Sequence, residues 1–281
     1  MRDPTPALDS DSEEEALEAG PVGKLVEPET YAQAMRSPHT AQWHEAALAE
    51  YNMLLANGTW TLEPLPEGKV AIGVRWVFRV KYHADGSIER FKGRIVAKGF
   101  SQRPGFDYNE TFASPSRHAT IRTVLALAAR DDLHLRSVDI SQAFINSDID
   151  TEVYMEQPEG FKEGVTKGQG RIVCKLNKSL YGLKQSPRLW SEKLGEALHS
   201  MGFKKIYSDP SLYIYDDGTV RIIVPVWVDD ITLASKSKDA LDKFVIELEK
   251  HFKLRDLGET VEVMANLLYK CITKLRSAVT R

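Results

Sequence analysis

The most informative stretch of this sequence reads Ile222-Ile223-Val224-Pro225-Val226-Trp227-Val228-Asp229-Asp230-Ile231-Thr232-Leu233. Apolar and β-branched residues flank two adjacent aspartates, and this pattern predicts a β-hairpin with two carboxylates at its tip. Charge at such a position is costly unless a cation binds it. An ordinary surface turn that carries two acids is the alternative interpretation.

A third acid ends another predicted strand, because Asp139 follows a short strand-like run at residues 133–138. If Asp139, Asp229 and Asp230 converge from strand ends, they would bind two divalent ions. Hard oxygen ligands favour Mg²⁺, with Mn²⁺ also possible. Two such ions clamp the attacking and leaving oxygens of a phosphoryl transfer. The three acids therefore predict nucleotidyl transfer, in which no side chain need act as nucleophile.

Composition limits the class of protein. The chain has 281 residues and 42% hydrophobic content, enough for one large domain or two small ones. It contains no run of 18 apolar residues and no signal-peptide core, which predicts a cytoplasmic protein with no membrane partner. Cys174 and Cys271 are too few and too far apart for a disulfide framework or a zinc knuckle.

Charge is unevenly distributed along the chain. Residues 1–30 contain nine acids and two bases, whereas the remainder is mildly basic. We therefore expect residues 1–28 to form a disordered acidic segment. Residues 29–60 are predicted to form a helical lead-in, in which Ser37-Pro38 starts a helix with an apolar stripe. The stripe consists of Trp43, Ala47, Tyr51 and Leu54.

A second predicted hairpin carries a basic face. Residues 74–83 and the return strand at residues 90–98 alternate between apolar and basic residues on either side of an Asp85-Gly86 turn signal. Few acids balance the bases, which favours a phosphate-facing surface over an ordinary solvated face. The candidate phosphate-binding residues are Lys81, Lys92, Arg94 and Lys98.

Helices are predicted before and after the Asp139 strand. Thr120 is expected to cap a helix that leads into this strand, and residues 187–203 are expected to form another. This order of elements predicts an α+β fold, with helices packed on one face of an antiparallel sheet.

Several motifs occur in a fixed order between residues 31 and 258. They are Asn57-Gly58-Thr59-Trp60, Trp76-Val77-Phe78, Arg90-Phe91-Lys92-Gly93-Arg94-Ile95-Val96-Ala97-Lys98-Gly99-Phe100, Glu110-Thr111-Phe112-Ala113, Val138-Asp139-Ile140 with Ala143-Phe144, Tyr154-Met155-Glu156-Gln157-Pro158, Ser179-Leu180-Tyr181-Gly182-Leu183-Lys184-Gln185-Ser186-Pro187-Arg188 and Trp227-Val228-Asp229-Asp230. In order and spacing they resemble the reverse transcriptase (RNA-dependent DNA polymerase) domain of copia-like LTR retrotransposons.

The resemblance implies a right-hand polymerase fold whose fingers and palm span residues 61–258. The implied substrates are a primed RNA or DNA template and deoxynucleoside triphosphates. Asp139, Asp229 and Asp230 would be the catalytic acids. Together with the carbonyl of Ile140 they would hold two Mg²⁺ ions.

The resemblance also implies which residues bind the incoming nucleotide. Arg94 and Lys98 would contact the triphosphate, and Gln185 would lie near the nucleotide and the template base. Phe144 would pack against the sugar and exclude a 2′-hydroxyl, with packing in the core as the alternative. Tyr181 is interpreted as a packing residue.

Contacts to primer and template are implied for a further set of residues. It consists of Lys81, Lys92, Lys184, Arg188 and Trp227. Trp227 departs from the family, which usually has Tyr before Val-Asp-Asp. The change keeps an aromatic surface near the primer end.

A second departure follows Gly258, where the family pattern is lost. We expect residues 259–281 to form a divergent tail and the thumb to be missing. The chain is then expected to be a truncated part of a retrotransposon polyprotein. Other parts of that polyprotein would be its partners. One alternative is a catalytically silent remnant that at most binds nucleic acid. Another is a palm-type nucleotidyl cyclase, in which the basic hairpin would have no role.

Overall fold

The structure is a computed structural model that describes residues 25–83, 85–111, 113, 116–164 and 171–259. Most of the predicted acidic segment, residues 1–24, lies outside the described residues. The same holds for the predicted tail from residue 260 onward, for Cys271 and for Phe112 of one family motif.

The described residues form five α-helices and eleven β-strands. The helices are α1 (Tyr31–Arg36), α2 (Thr40–Ala56), α3 (His118–Asp131), α4 (Ser186–Ser200) and α5 (Lys238–Glu249). The strands are β1 (Trp60–Pro64), β2 (Val74–Tyr82), β3 (Ile88–Ala97), β4 (His134–Ile140), β5 (Tyr154–Met155), β6 (Ile172–Leu176), β7 (Lys204–Ile206), β8 (Asp209–Asp216), β9 (Arg221–Trp227), β10 (Asp230–Ser235) and β11 (Leu254–Glu259).

The largest sheet has six strands in the order β11-β4-β10-β9-β8-β7, and every neighbouring pair in it is antiparallel. Strands β9 and β10 form the hairpin predicted from residues 222–233, with Trp227 paired to Asp230. The prediction of a mixed fold with antiparallel sheets is therefore confirmed. Strands β1, β6 and β5 form a second sheet, and β2 and β3 form a separate hairpin.

Helices α4 and α5 share one apolar core with the large sheet. Its buried members include Leu194 and Leu198 from α4, Leu248 from α5 and Leu233 from β10. Burying a side chain of this size contributes about 1.5–3 kcal/mol. Thr232 and Ala234, in the opposite phase of β10, are also buried, and α3 contacts β9 and β10. Both faces of β10 are thus covered, which differs from the single covered face expected from the sequence.

A second core joins α2 to the β2–β3 hairpin. The predicted stripe of α2 is buried in full, and the Trp43 ring lies edge-on to Phe91 at 4.6 Å between centroids. The predicted start of α2 is wrong, because the helix begins at Thr40 with His39 as N-cap. Ser37 instead ends α1, where its N–H donates to the carbonyl of Ala34.

The predicted cap of α3 is also wrong, because the helix begins at His118 with Arg117 as N-cap and Thr120 lies inside it. Across the described ranges, no helix is both long and apolar enough to cross a membrane.

Candidate active site

The three predicted acids lie side by side on the backbone of the large sheet. Asp230 on β10 pairs directly with Asp139 on β4. The N–H of Ile140 donates to the carbonyl oxygen of Asp229 at 2.9 Å. Directly paired residues of antiparallel strands face the same side, with Cβ atoms about 4.5–5.5 Å apart. Residues distant in sequence are therefore adjacent along the backbone, while the convergence of all three carboxylates stays a prediction.

Two of these acids line a cleft of about 250 Å³. Its lining includes Asp139, Ile140 and Asp229 together with Arg90, Lys92 and Arg94 from β3. The remaining lining residues are Glu50, Ser141, Gln142, Tyr181 and Arg255. The cleft thus joins the acidic hairpin predicted from one stretch of sequence to the basic hairpin predicted from another.

The cleft offers ligands suited to a hard cation. Two carboxylates and a backbone segment at Ile140 lie together, and oxygen ligands of this kind fit Mg²⁺. Asp230 does not line the cleft. Among the residues that the structure describes, no three His, Cys, Asp or Glu side chains are gathered as a metal-holding cluster. The donor set therefore fits a divalent ion at Asp139 and Asp229, while the role of Asp230 stays a prediction.

Basic side chains crowd the β3 side of the cleft. Partial burial lowers the pKa of Lys92, and the neighbouring Arg94 and Arg90 lower it further. Burial raises the pKa of the Glu50 carboxyl, against the opposing effects of the Ile95 N–H and Arg94. The positive charges of these side chains lie close together and are only partly hydrated. This arrangement favours binding of a polyanion, whose negative charges would balance the excess of bases.

Tyr181 is a cleft residue that sequence reasoning treated as packing. The Arg94 guanidinium lies 5.1 Å from the centroid of its ring, and Phe144 meets the ring edge-on at 4.6 Å. Burial, with a smaller effect from Asp229, raises the pKa of Tyr181 to about 12. Its hydroxyl therefore stays protonated at neutral pH and can donate a hydrogen bond into the cleft.

Gly182 explains how Tyr181 reaches this place. The N–H of Ala97 donates to the Tyr181 carbonyl at 2.8 Å, so the segment lies against the end of β3. Gly182 has a φ of 94°, and a Cβ there would come 2.1 Å from the carbonyl oxygen of Ala97. Only glycine permits so close an approach. The glycine next to Tyr181 in this motif is the feature of the sequence that could have indicated that Tyr181 lies in the cleft.

The structure does not bring Gln185 to the cleft. Its side chain is fully buried, and its amide N–H groups donate to the Asp107 carbonyl at 3.0 Å and to Thr151 Oγ1 at 3.1 Å. Its amide oxygen accepts from Gln102 at 3.0 Å. Gln185 anchors the loop at residues 102–107 and does not line the cleft, whereas Tyr181 does. The nucleotide contact expected of Gln185 stays a prediction.

The two predicted basic residues that flank Gln185 are also held by the protein itself. Lys184 Nζ lies 4.7 Å from the centroid of the Tyr108 ring. Arg188 forms ion pairs with Asp150 and Glu192, and only 12% of its side chain is exposed. Neither residue lines the cleft, so contacts of Lys184 and Arg188 with nucleic acid require these interactions to change.

The other predicted residues do not line the cleft. Phe144 is 9% exposed and packs in the core behind Tyr181. Lys98 extends across Gly73, and Lys81 is exposed on β2. Trp227 ends β9, and its ring stacks on His118 at 5.0 Å between centroids.

Backbone strain occurs at both acidic segments. Outside glycine, positive φ is found among the described residues at Asp132, Gln142 and Val228, the last with a φ of 58°. Gln142 lies just after Asp139, and Val228 directly precedes Asp229. Such conformations cost about 1–3 kcal/mol each and persist only where the surroundings impose them. They are concentrated at functional sites, which supports a site here.

Comparisons with known proteins identify the family of this chain. The sequence profile of a family described as "Reverse transcriptase (RNA-dependent DNA polymerase)" matches residues 57–270, which extends past Gly258 into the segment predicted to diverge. The Pol polyprotein of transposon TNT 1-94 from Nicotiana tabacum is 39% identical over 85% of this chain. The Pol polyprotein of transposon RE1 from Arabidopsis thaliana is 39% identical over 83%. The chain spans 18% and 16% of these relatives.

A solved structure of a foamy viral protease-reverse transcriptase in complex with double-stranded DNA aligns with a TM-score of 0.42 and 14% identity, over 75% of this chain and 29% of that chain. The profile match covers most of the sequence, and the similar polyproteins come from copia-like transposons. This chain therefore belongs to the reverse transcriptase family of copia-like retrotransposon Pol polyproteins.

Proposed function

We propose that this chain carries the catalytic centre of an RNA-directed DNA polymerase that acts within a retrotransposon polyprotein. The β2–β3 hairpin would be the fingers and the large antiparallel sheet the palm. One observation carries the proposal: Asp139 and Asp229 share a cleft with Arg90, Lys92 and Arg94. A nucleoside triphosphate with its divalent ions needs both signs of charge in one place.

In this proposal the side chains of the cleft position the reactants. Arg94, fixed against the Tyr181 ring, and Lys92 bind the triphosphate of the incoming nucleotide. Asp139 and Asp229 hold Mg²⁺ together with the carbonyl of Ile140. When bound, the ions supply activation of the primer 3′-hydroxyl and neutralisation of charge on the leaving pyrophosphate. The 3′-hydroxyl attacks the α-phosphate, the bond between the α- and β-phosphates breaks to release pyrophosphate, and no side chain is nucleotidylated.

Selection of deoxynucleotides is assigned to Phe144 and Tyr181 together. Phe144 contacts the Tyr181 ring from the core side, at 4.6 Å between centroids. A ring that is held edge-on in this way cannot retreat to admit a 2′-hydroxyl without disturbing the core. The partners implied are a primed RNA or DNA template and deoxynucleoside triphosphates.

The proposal is tested by single-nucleotide extension of a labelled primer on an RNA template in Mg²⁺, for the parent chain and for Asp229→Asn. We expect incorporation by the parent and none by the variant, because the amide cannot replace the carboxylate as an anionic metal ligand. Asp239→Asn, at an exposed aspartate of α5, is the matched control and should leave incorporation unchanged. Binding of primer and template without incorporation by the parent would favour the silent remnant.

A further inference from the structure

Trp190 lies directly behind the turn that carries Asp229. It belongs to α4 and is buried, with its ring edge-on to Phe252 at 5.1 Å between centroids. Its indole N–H donates to the carbonyl oxygen of Val228 at 2.7 Å. This bond links a core helix to the tip of the β9–β10 hairpin. The cleft lies beyond the turn, and Trp190 does not line it.

The turn has a conformation that its sequence does not favour. Val228 and Asp229 are the two central residues between the paired Trp227 and Asp230. In a two-residue hairpin loop, positive φ at the first central position is the place that glycine normally takes. Here a β-branched valine has a φ of 58°. A β-branched residue keeps such a conformation only where its surroundings impose it.

Two hydrogen-bond donors from different elements hold the turn in this conformation. The Trp190 indole holds the carbonyl of Val228, and the N–H of Ile140 on β4 holds the carbonyl of Asp229 at 2.9 Å. Trp190 therefore fixes the peptide group between Val228 and Asp229, and Ile140 fixes the next one, between Asp229 and Asp230. Rotation of these groups is the motion that would swing the Asp229 carboxylate out of the cleft.

We infer that Trp190 is a positioning residue, whose hydrogen bond holds Val228 in its strained conformation and thereby keeps the Asp229 carboxylate in the cleft. The inference rests on the proposed function, because that function makes Asp229 a metal ligand. It predicts that Trp190 is needed only while residue 228 is strained. Glycine at position 228 adopts positive φ without cost and should remove the need for the indole.

The test is a double-mutant cycle of Trp190→Phe and Val228→Gly in the 281-residue chain. The first measurement is the affinity for Mn²⁺ that is lost in Asp229→Asn. We expect Trp190→Phe to weaken this affinity about tenfold, as expected for one lost hydrogen bond to a buried carbonyl. Val228→Gly alone should change it little. The double variant should recover most of the loss.

The second measurement is hydrogen exchange of the Ile140 amide, which needs neither metal nor activity. Trp190→Phe should speed this exchange about tenfold, since the Asp229 carbonyl that accepts its hydrogen bond is no longer fixed, and Val228→Gly should restore slow exchange. Trp60→Phe is the matched control, because the Trp60 indole N–H is buried without a hydrogen-bond partner. It should alter neither readout.

Unchanged Mn²⁺ affinity and amide exchange in Trp190→Phe would overturn the inference. So would an equal loss in the Val228→Gly background, because the effect would then come from packing at Trp190. A parent chain that binds Mn²⁺ but incorporates no nucleotide would defeat the proposed function alone, and the exchange cycle would still decide the role of Trp190.

Discussion

Arg94 is a basic residue of the cleft whose side chain is held in place by an aromatic ring. It lines the cleft with Asp139 and Asp229, and its guanidinium packs against the Tyr181 ring, which limits its freedom. A planar guanidinium held in place can contact phosphate oxygens through two parallel hydrogen bonds. The charge of Arg94 and its fixed orientation should both contribute to nucleotide binding.

Replacing Arg94 by Gln should raise the KM for the incoming deoxynucleotide about ten- to a hundredfold, since a charge-assisted phosphate contact is lost. We expect kcat to change much less, because the contact should be equally strong in the ground state and in the transition state. Steady-state extension kinetics measure both. Arg75→Gln, at an exposed arginine of the neighbouring strand β2, is the control. Equal effects of the two variants would show that only general charge matters.

Phe144 should decide sugar selectivity through its contact with Tyr181. Phe144→Val shortens the support behind the Tyr181 ring, so the ratio of deoxynucleotide to ribonucleotide incorporation should fall about tenfold. Competition between the two nucleotides in single-turnover extension measures the ratio. Phe203→Leu, in the same core but with its ring packed against Tyr215 and Phe244, should reduce stability and leave the ratio unchanged. An unaltered ratio in Phe144→Val would make Phe144 a core residue only.

Glu50 should make the fold less stable as the pH rises. Burial raises its pKa above the ordinary value of 4.5. The folded chain therefore keeps a proton that the unfolded chain has released, and this part of the stability is lost as the pH rises from about 4.5 through the folded pKa. Glu50→Gln removes the effect, so the Tm of the variant minus that of the parent should be more positive at pH 7 than at pH 4.

The comparison is made by thermal unfolding in matched buffers, with Glu45→Gln on the exposed side of α2 as control. A Tm difference between the Glu50→Gln variant and the parent that does not depend on pH would show that burial does not raise the pKa of Glu50 in the folded chain.

At the scale of the elements, the segment at residues 181–182 should tolerate little change, because it packs tightly against β3. Gly182→Ala would place a Cβ 2.1 Å from the Ala97 carbonyl at a φ of 94°. We expect a loss of at least about 2 kcal/mol in the free energy of unfolding, from overpacking and backbone strain together. Nucleotide binding should weaken as well, because Tyr181 moves away from Arg94.

Gly86→Ala separates the two causes. Gly86 also has a positive φ, of 86°, but a Cβ there would meet open space. Backbone strain alone should cost about 1 kcal/mol. Urea unfolding measures both variants. If Gly182→Ala lost no more stability than Gly86→Ala, the close contact between Gly182 and β3 would be refuted.

Sequence periodicity predicted most elements, because alternation and helical spacing reflect which face is buried. The β9–β10 hairpin and the stripe of α2 were found in this way. The starts of α2 and α3 were misplaced, because Ser37 and Thr120 satisfy local capping rules in positions where tertiary packing sets other boundaries. The sequence did not show that Tyr181 lines the cleft and Gln185 does not, because which residue of a turn faces a cleft depends on contacts with β3 and with the loop at residues 102–107.

At the scale of the whole molecule, the cleft lies between two separate cores. Arg94 is on β3, whose buried neighbours Ile95 and Ala97 belong to the core with α2. Asp139 is on β4, whose neighbours Val138 and Ile140 belong to the core with α4 and α5. The separation of bases from acids is therefore set by how these cores pack against each other. No local sequence pattern encodes that distance.

Template-directed nucleotidyl transfer is the activity that we propose for this cleft. It is tested most directly by the identity of the nucleotide added to one primer on four RNA templates that differ only in the first unpaired base, in Mg²⁺, for the parent chain and for Asp139→Asn. We expect the parent to add the complementary deoxynucleotide on each template and the variant to add none. Addition that ignores the template base, or that persists in Asp139→Asn, would contradict the proposal.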